Sequence, residues 1–149
     1  MTRTTAREIA IQLGFAAAAT GESAADIAER FFDEEHYATL AGEDALFAER
    51  PGKKQMDYIL RLVSLTEEHR EEVDEIIRRY ARGWKLERIS KTALAVLRCA
   101  LCEILYMEDV PDAAAINEAV ELAKGYDEPD TVAFVNGVLG SFMRDRAES

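Results

Sequence analysis

Apolar residues recur along this chain every three to four positions over nearly its whole length, the spacing that gathers side chains on one face of an α-helix. Ile9, Leu13 and a run of alanines form the first such stripe. Thr5-x-x-Glu8 opens it in the form of a capping box, and Thr20-Gly21 closes it. Ser23-x-x-Asp26 leads into a second stripe with Ile27, Phe31 and Phe32. From Lys53, the set Met56, Ile59, Leu60 and Val63 marks a third helix. Thr66, followed by Glu67 and Glu68, reads as a fresh cap for a fourth, with Val73, Ile76, Ile77 and Tyr80, ended by Gly83. A link from Trp84 to Ile89 follows, with Trp84 and Leu86 expected to plug the core. Ser90 then caps a fifth helix, Lys91 to about Tyr106, carrying Leu94, Leu97, Leu101, Ile104 and Leu105. Val110-Pro111 breaks the pattern, because the residue before a proline is pushed out of helical geometry. Asp112 opens a sixth helix (Ile116, Ala119, Val120, Ala123), and a seventh runs from about Asp130 to Asp145 (Val132, Val135, Val138, Leu139, Phe142).

No stretch alternates with the period of two that a half-buried strand requires. The pattern predicts an all-α protein: a compact bundle of about seven helices in two halves, three helices and then four, in one domain spanning 1–149. His36 to Gly52 is the least periodic stretch and is expected to be a loop with at most a short helical turn. Gly137 and Gly140 stand inside the last helical pattern, where each glycine costs ~1 kcal/mol against alanine. Such glycines are read as points where a neighbouring helix approaches closely.

The 149 residues suffice to bury roughly two-thirds of the unfolded surface without a metal or disulfide. No apolar run approaches the ~20 residues of a membrane span, and MTRTTAREIA lacks a signal-peptide layout, so a cytoplasmic protein is expected. The net charge of −11 opposes indiscriminate nucleic-acid binding. Local cationic stretches nonetheless remain. The α-amino group, Arg3 and Arg7 precede or flank the first acidic side chain, Glu8. A second stretch holds Arg78, Arg79, Arg82, Lys85, Arg88 and Lys91, diluted by Glu87. Mixed-charge, solvated helix faces are the plainer reading of that second stretch.

Cys99 and Cys102 have the C-x-x-C spacing of redox and metal sites. They lie inside LRCALCEIL, a continuous apolar helix pattern rather than a helix start, which points to core packing as reduced thiols. Zinc would need two further ligands, and only His36 and His69 could help. The Glu-x-x-His pairs of a di-iron bundle are missing, with Asp33 and Thr66 at the relevant positions. No phosphate-cradling glycine motif occurs. The sequence points to binding without catalysis, and no cofactor or metal is implied.

Read in order, ERISKTALAVLR (from Glu87), INEAVELAK (from Ile116) and FVNGVLG (from Phe134) resemble the bacterial NusB family of transcription antitermination factors. A weaker match, ARE at Ala6 to Glu8 with Gln12, lies near the N-terminus. The resemblance implies binding to single-stranded boxA RNA through Arg3, Arg7, Gln12 and Phe15 on the first helix. Around the start of the last helix it implies Tyr126, Asp130 and Phe134, with Lys124 nearby. It also implies a heterodimer with the ribosomal protein NusE, for which Tyr80 and Glu87 are the positions that carry over, and action on the RNA polymerase antitermination complex at ribosomal RNA operons.

Two departures from the family pattern matter. TRTT supplies one arginine where many members carry several, so RNA binding by the chain alone is expected to be weak. Ala93 stands where relatives are often acidic, which alters part of the expected partner face. The alternative is a NusB-like protein-interaction or dimerisation module with little RNA affinity; self-association as a homodimer is compatible with the family. A ribosomal RNA methyltransferase bearing such a domain would need a further catalytic domain.

Overall fold

The computed structural model describes residues 1–126 and 129–148. Among them are eight α-helices and no strand: α1 (Arg3–Thr20), α2 (Ala24–Phe31), α3 (Glu34–Leu40), α4 (Lys53–Glu68), α5 (Arg70–Tyr80), α6 (Lys91–Tyr106), α7 (Asp112–Tyr126) and α8 (Pro129–Glu148). Single 3-10 turns lie at Ala45–Phe47 and Leu86–Arg88. No helix among the described residues is long and apolar enough to cross a membrane. The chain forms two compact units, Met1–Glu67 and Glu68–Ser149.

In the first unit α1 begins earlier than the Thr5-x-x-Glu8 pattern predicts. Thr2 is the N-cap, and its hydroxyl accepts the Thr5 N–H at 3.1 Å. Gly21 ends the helix at φ 77°, a left-handed conformation in which glycine avoids a side-chain clash. Ser23 caps α2 as expected. The stretch read as a loop instead contains α3 and the turn at Ala45–Phe47. Seven residues make only two helical turns, too few for a stripe to emerge from the sequence. An aromatic cluster orders this region. Phe31 meets Phe32, Tyr37 and Phe47 edge-on with ring centroids 5.0, 5.8 and 5.5 Å away. Tyr37 donates to the Glu49 carbonyl at 3.0 Å, and Arg50 donates to the Phe32 carbonyl at 2.7 Å.

Thr66 does not restart the chain. Its hydroxyl donates to the Val63 carbonyl at 2.8 Å inside α4, which continues to Glu68; the break falls at His69, which makes no side-chain cap.

In the second unit α6 is the central element, packed against α5, α7 and α8. Leu97, Leu101 and Cys102 are fully buried along it, and Ser90 caps it through the Ala93 N–H at 3.0 Å. Cys99 and Cys102 are free, buried thiols. Burial pushes the Cys102 thiol up to about 12, with the Glu72 and Glu103 carboxylates adding to the effect. Asp74 of α5 and Arg98 of α6 form a two-bonded ion pair at 2.8 and 3.0 Å with little solvent access.

Two expectations fail in this unit. Gly137 is exposed, and a methyl group added there would meet nothing within 4 Å. At Gly140 it would meet only the mobile end of Arg144, at 3.4 Å. Neither glycine marks a tight helix crossing within the chain. Trp84 is 55% exposed rather than a plug, while Leu86 is half-buried.

Candidate nucleic-acid and partner surfaces

The residues carried over for RNA on α1 fall on two sides of that helix. Arg3 and Arg7, one turn apart, meet the buried Tyr58 of α4. The Arg3 guanidinium lies 3.9 Å from the ring centroid and that of Arg7 5.6 Å away. Arg3 also donates to Gln55 at 2.9 Å. Arg7 is only 5% exposed, so its charge is held inside the unit. The α-amino group pairs with Glu49. The cationic start that the sequence displays is therefore largely spent on internal contacts. Phe15 is 39% exposed, and Gln12, half-buried and engaged in contacts of its own, sits three residues before it on the neighbouring part of the helix surface.

In the second unit, α7 and α8 carry the other residues of the set. Tyr126 at the end of α7 is 38% exposed, and exposed Lys124 pairs with Glu121 at 2.8 Å. Asp130 is exposed in the first turn of α8, and Phe134 one turn later is half-buried. The Phe134 ring meets Trp84, centroids 5.3 Å apart and planes tilted by 49°. In the cationic stretch, Arg78 pairs with Glu75 at 3.1 Å and Arg79 leans over Tyr80. Arg82, Lys85 and Arg88 are exposed and make no ion pair among the described residues.

Of the two positions carried over for a protein partner, Tyr80 is tied into the unit. Its hydroxyl donates to Asp145 at 2.8 Å, which raises its pKa, and its ring meets Phe142 edge-on at 5.9 Å. Glu87 is exposed on the turn before α6. Ala93, where acidity was expected in relatives, is completely buried.

Sequence reasoning missed several polar groupings. His69 stacks on Tyr106 with centroids 3.9 Å apart, and the Tyr106 hydroxyl donates to Glu72, which pushes its pKa up to about 12. An open cavity of about 390 Å³ is bordered by Asp26, Glu29, Arg30, Asp33 and His36. No spacing rule links side chains so far apart in the chain as His69 and Tyr106. Among the described residues no group of three or more His, Cys, Asp and Glu could hold a metal.

Among the described residues, fold and surface together define an all-helical protein with exposed aromatic rings at Phe15, Trp84 and Tyr126 and exposed cations at Arg82, Lys85 and Arg88. The NusB family profile matches residues 4–144, and the chain belongs to the NusB family. It is 35% identical over 143 residues to the transcription antitermination protein NusB of Clostridium botulinum, covering 96% of this chain and all of the relative. A solved structure of T. maritima NusB superposes with a TM-score of 0.77 at 28% identity, covering 95% of this chain and 89% of that one. A chain from a crystal structure of antitermination factors NusB and NusE in complex with dsRNA has the same fold. Its TM-score is 0.77 at 22% identity, over 96% of both chains.

Proposed function

We propose that this protein is a transcription antitermination factor of the cytoplasm that works by binding rather than catalysis. It binds boxA-type single-stranded RNA weakly alone and more tightly as a heterodimer with a NusE-type ribosomal protein, and the pair acts on RNA polymerase at ribosomal RNA operons. Support comes from the relative of matching length that is named for antitermination, and from the fold shared with a NusB solved beside NusE and RNA. The proposed RNA-contacting set is Arg3, Arg7, Gln12, Phe15, Lys124, Tyr126, Asp130 and Phe134, in which Arg3 and Arg7 reach RNA only by leaving Tyr58, and the proposed partner positions are Tyr80 and Glu87.

The observation that carries weak binding by the chain alone is the engagement of Arg3 and Arg7 with Gln55 and Tyr58. The cations of the first helix are then not free for phosphate, whose neutralisation dominates nucleic-acid affinity, and the exposed ones at Arg82, Lys85 and Arg88 lie in a short stretch. A basic ribosomal protein supplies that charge and is suited to a chain of net charge −11. The same observation favours one competing reading, a protein-interaction or dimerisation module with little RNA affinity. Titration of boxA-type RNA with and without the NusE-type partner separates the two. Partner-strengthened RNA binding supports the antitermination reading, whereas partner binding with no RNA affinity in either condition supports the module.

A further inference from the structure

Trp84 is the one tryptophan of the chain and, among the described residues, the most exposed large apolar side chain, more than half open to solvent. It is held on a defined turn. Gly83 takes the left-handed conformation at φ 79°, the Trp84 N–H bonds the Ala81 carbonyl at 2.9 Å, and the 3-10 turn Leu86–Arg88 follows at once. One side of the indole meets Phe134 from the first turns of α8. Arg82 and Lys85 flank it in sequence and Arg88 lies one turn on, all exposed and unpaired among the described residues. An open aromatic pair beside uncommitted cations stands out on a protein of net charge −11.

We infer that Trp84, backed by Phe134, is a stacking platform for an unpaired base of single-stranded RNA, with Arg82 and Lys85 meeting the adjoining phosphates. This rests on the RNA-binding reading above and adds to it a residue and a mode of contact. Charge favours RNA over a protein as occupant. Unpaired cations beside an aromatic face match a nucleotide, which offers a flat π-surface and a phosphate together. Glu87, the position proposed for the basic partner, lies on the same turn, but Arg82, Lys85 and Arg88 outnumber it, so the charge next to the indole suits phosphate better than a basic protein. Because the turn is fixed before binding, little ordering cost falls on the indole itself.

The test uses the full chain and a boxA-type RNA oligonucleotide, with and without the NusE-type partner, reading labelled-RNA anisotropy and intrinsic tryptophan fluorescence together. Any fluorescence change of this chain reports Trp84, since there is no other tryptophan. The expected result is quenching that follows RNA occupancy. Trp84→Ala should weaken binding by roughly tenfold at an unchanged salt slope, with Trp84→Phe recovering most of it. Arg82→Ala with Lys85→Ala should instead lower the salt slope by about one unit. Because Trp84 is exposed, its variants should keep the wild-type circular dichroism and melting temperature. RNA binding without quenching, at wild-type affinity in Trp84→Ala, would overturn the platform and leave the RNA reading intact. If the partner alone shifts the fluorescence and Trp84→Ala weakens only the partner, the surface is a protein contact and the inference is wrong. Absence of RNA binding in every condition removes the parent reading and this one with it.

Discussion

Replacing Asp74 by alanine should be one of the most damaging single changes to the second unit. Its carboxylate is 7% exposed and takes two charge-assisted hydrogen bonds from Arg98, at 2.8 and 3.0 Å, while Arg70 stands 4.0 Å away. Opposite charges this close attract by about 4 kcal/mol at an effective dielectric near 20, and the desolvation of both groups offsets much of that. The pair as a whole therefore contributes little, but breaking it is costly, because removing one partner of a buried pair costs ~3–5 kcal/mol. Arg98 keeps 13% side-chain exposure and a long stem, so it can reach some water once Asp74 is gone. That places the expected loss at the lower end, about 3 kcal/mol. The double variant Asp74→Leu with Arg98→Met keeps the volume and removes both charges, so it should lie within about 1 kcal/mol of wild type. Urea unfolding followed by Trp84 fluorescence, which reports this unit, gives the values at constant m. The reasoning fails if Asp74→Ala loses under about 1 kcal/mol, or if the double variant loses the full sum of the two singles.

Other outcomes follow from the same structure. Gly137→Ala should raise stability by about 0.5–1 kcal/mol, because the added methyl group meets open space and the helix loses its most flexible residue; a lowered melting temperature would show a hidden contact. The folded state holds the Cys102 thiol neutral up to about 12, above its unfolded value, so the native chain keeps a proton that the unfolded chain releases. Its contribution is fully present below the unfolded pKa and should be lost as pH rises from about 9 towards 12, at up to ~1.4 kcal/mol per pH unit. Cys102→Ala should flatten that decline, and an unchanged pH profile would contradict the burial argument.

Long stripes of apolar residues made α1, α2 and α4 to α8 legible, and Ser23, Ser90 and Gly21 marked helix ends correctly. What was not legible depends on tertiary surroundings. α3 is shorter than the window in which a period can show, and its order comes from Phe31, Phe47 and Arg50, which lie outside it. Thr66 looks like a cap, but its hydroxyl is satisfied inside the helix. Gly137 looks like a packing notch, since sequence records the helix cost of glycine and not what stands opposite it. The same limit affects the surfaces. The motifs between Glu87 and Gly140 mark the NusB family. That Arg7 is buried against Tyr58 while Trp84 stands open follows only from where the helices place them.

The central claim, an RNA-binding antitermination factor that depends on its partner, is tested most directly by boxA-type RNA affinity at two salt concentrations with the NusE-type partner present and absent. With Arg3 and Arg7 engaged inside the first unit and only a short stretch of exposed cations around Trp84, binding alone should be weak, with a log–log salt slope of roughly −1 to −2; the partner should tighten binding and steepen the slope. Equal affinity and equal slope with and without the partner, or no RNA binding in any condition, would contradict the account.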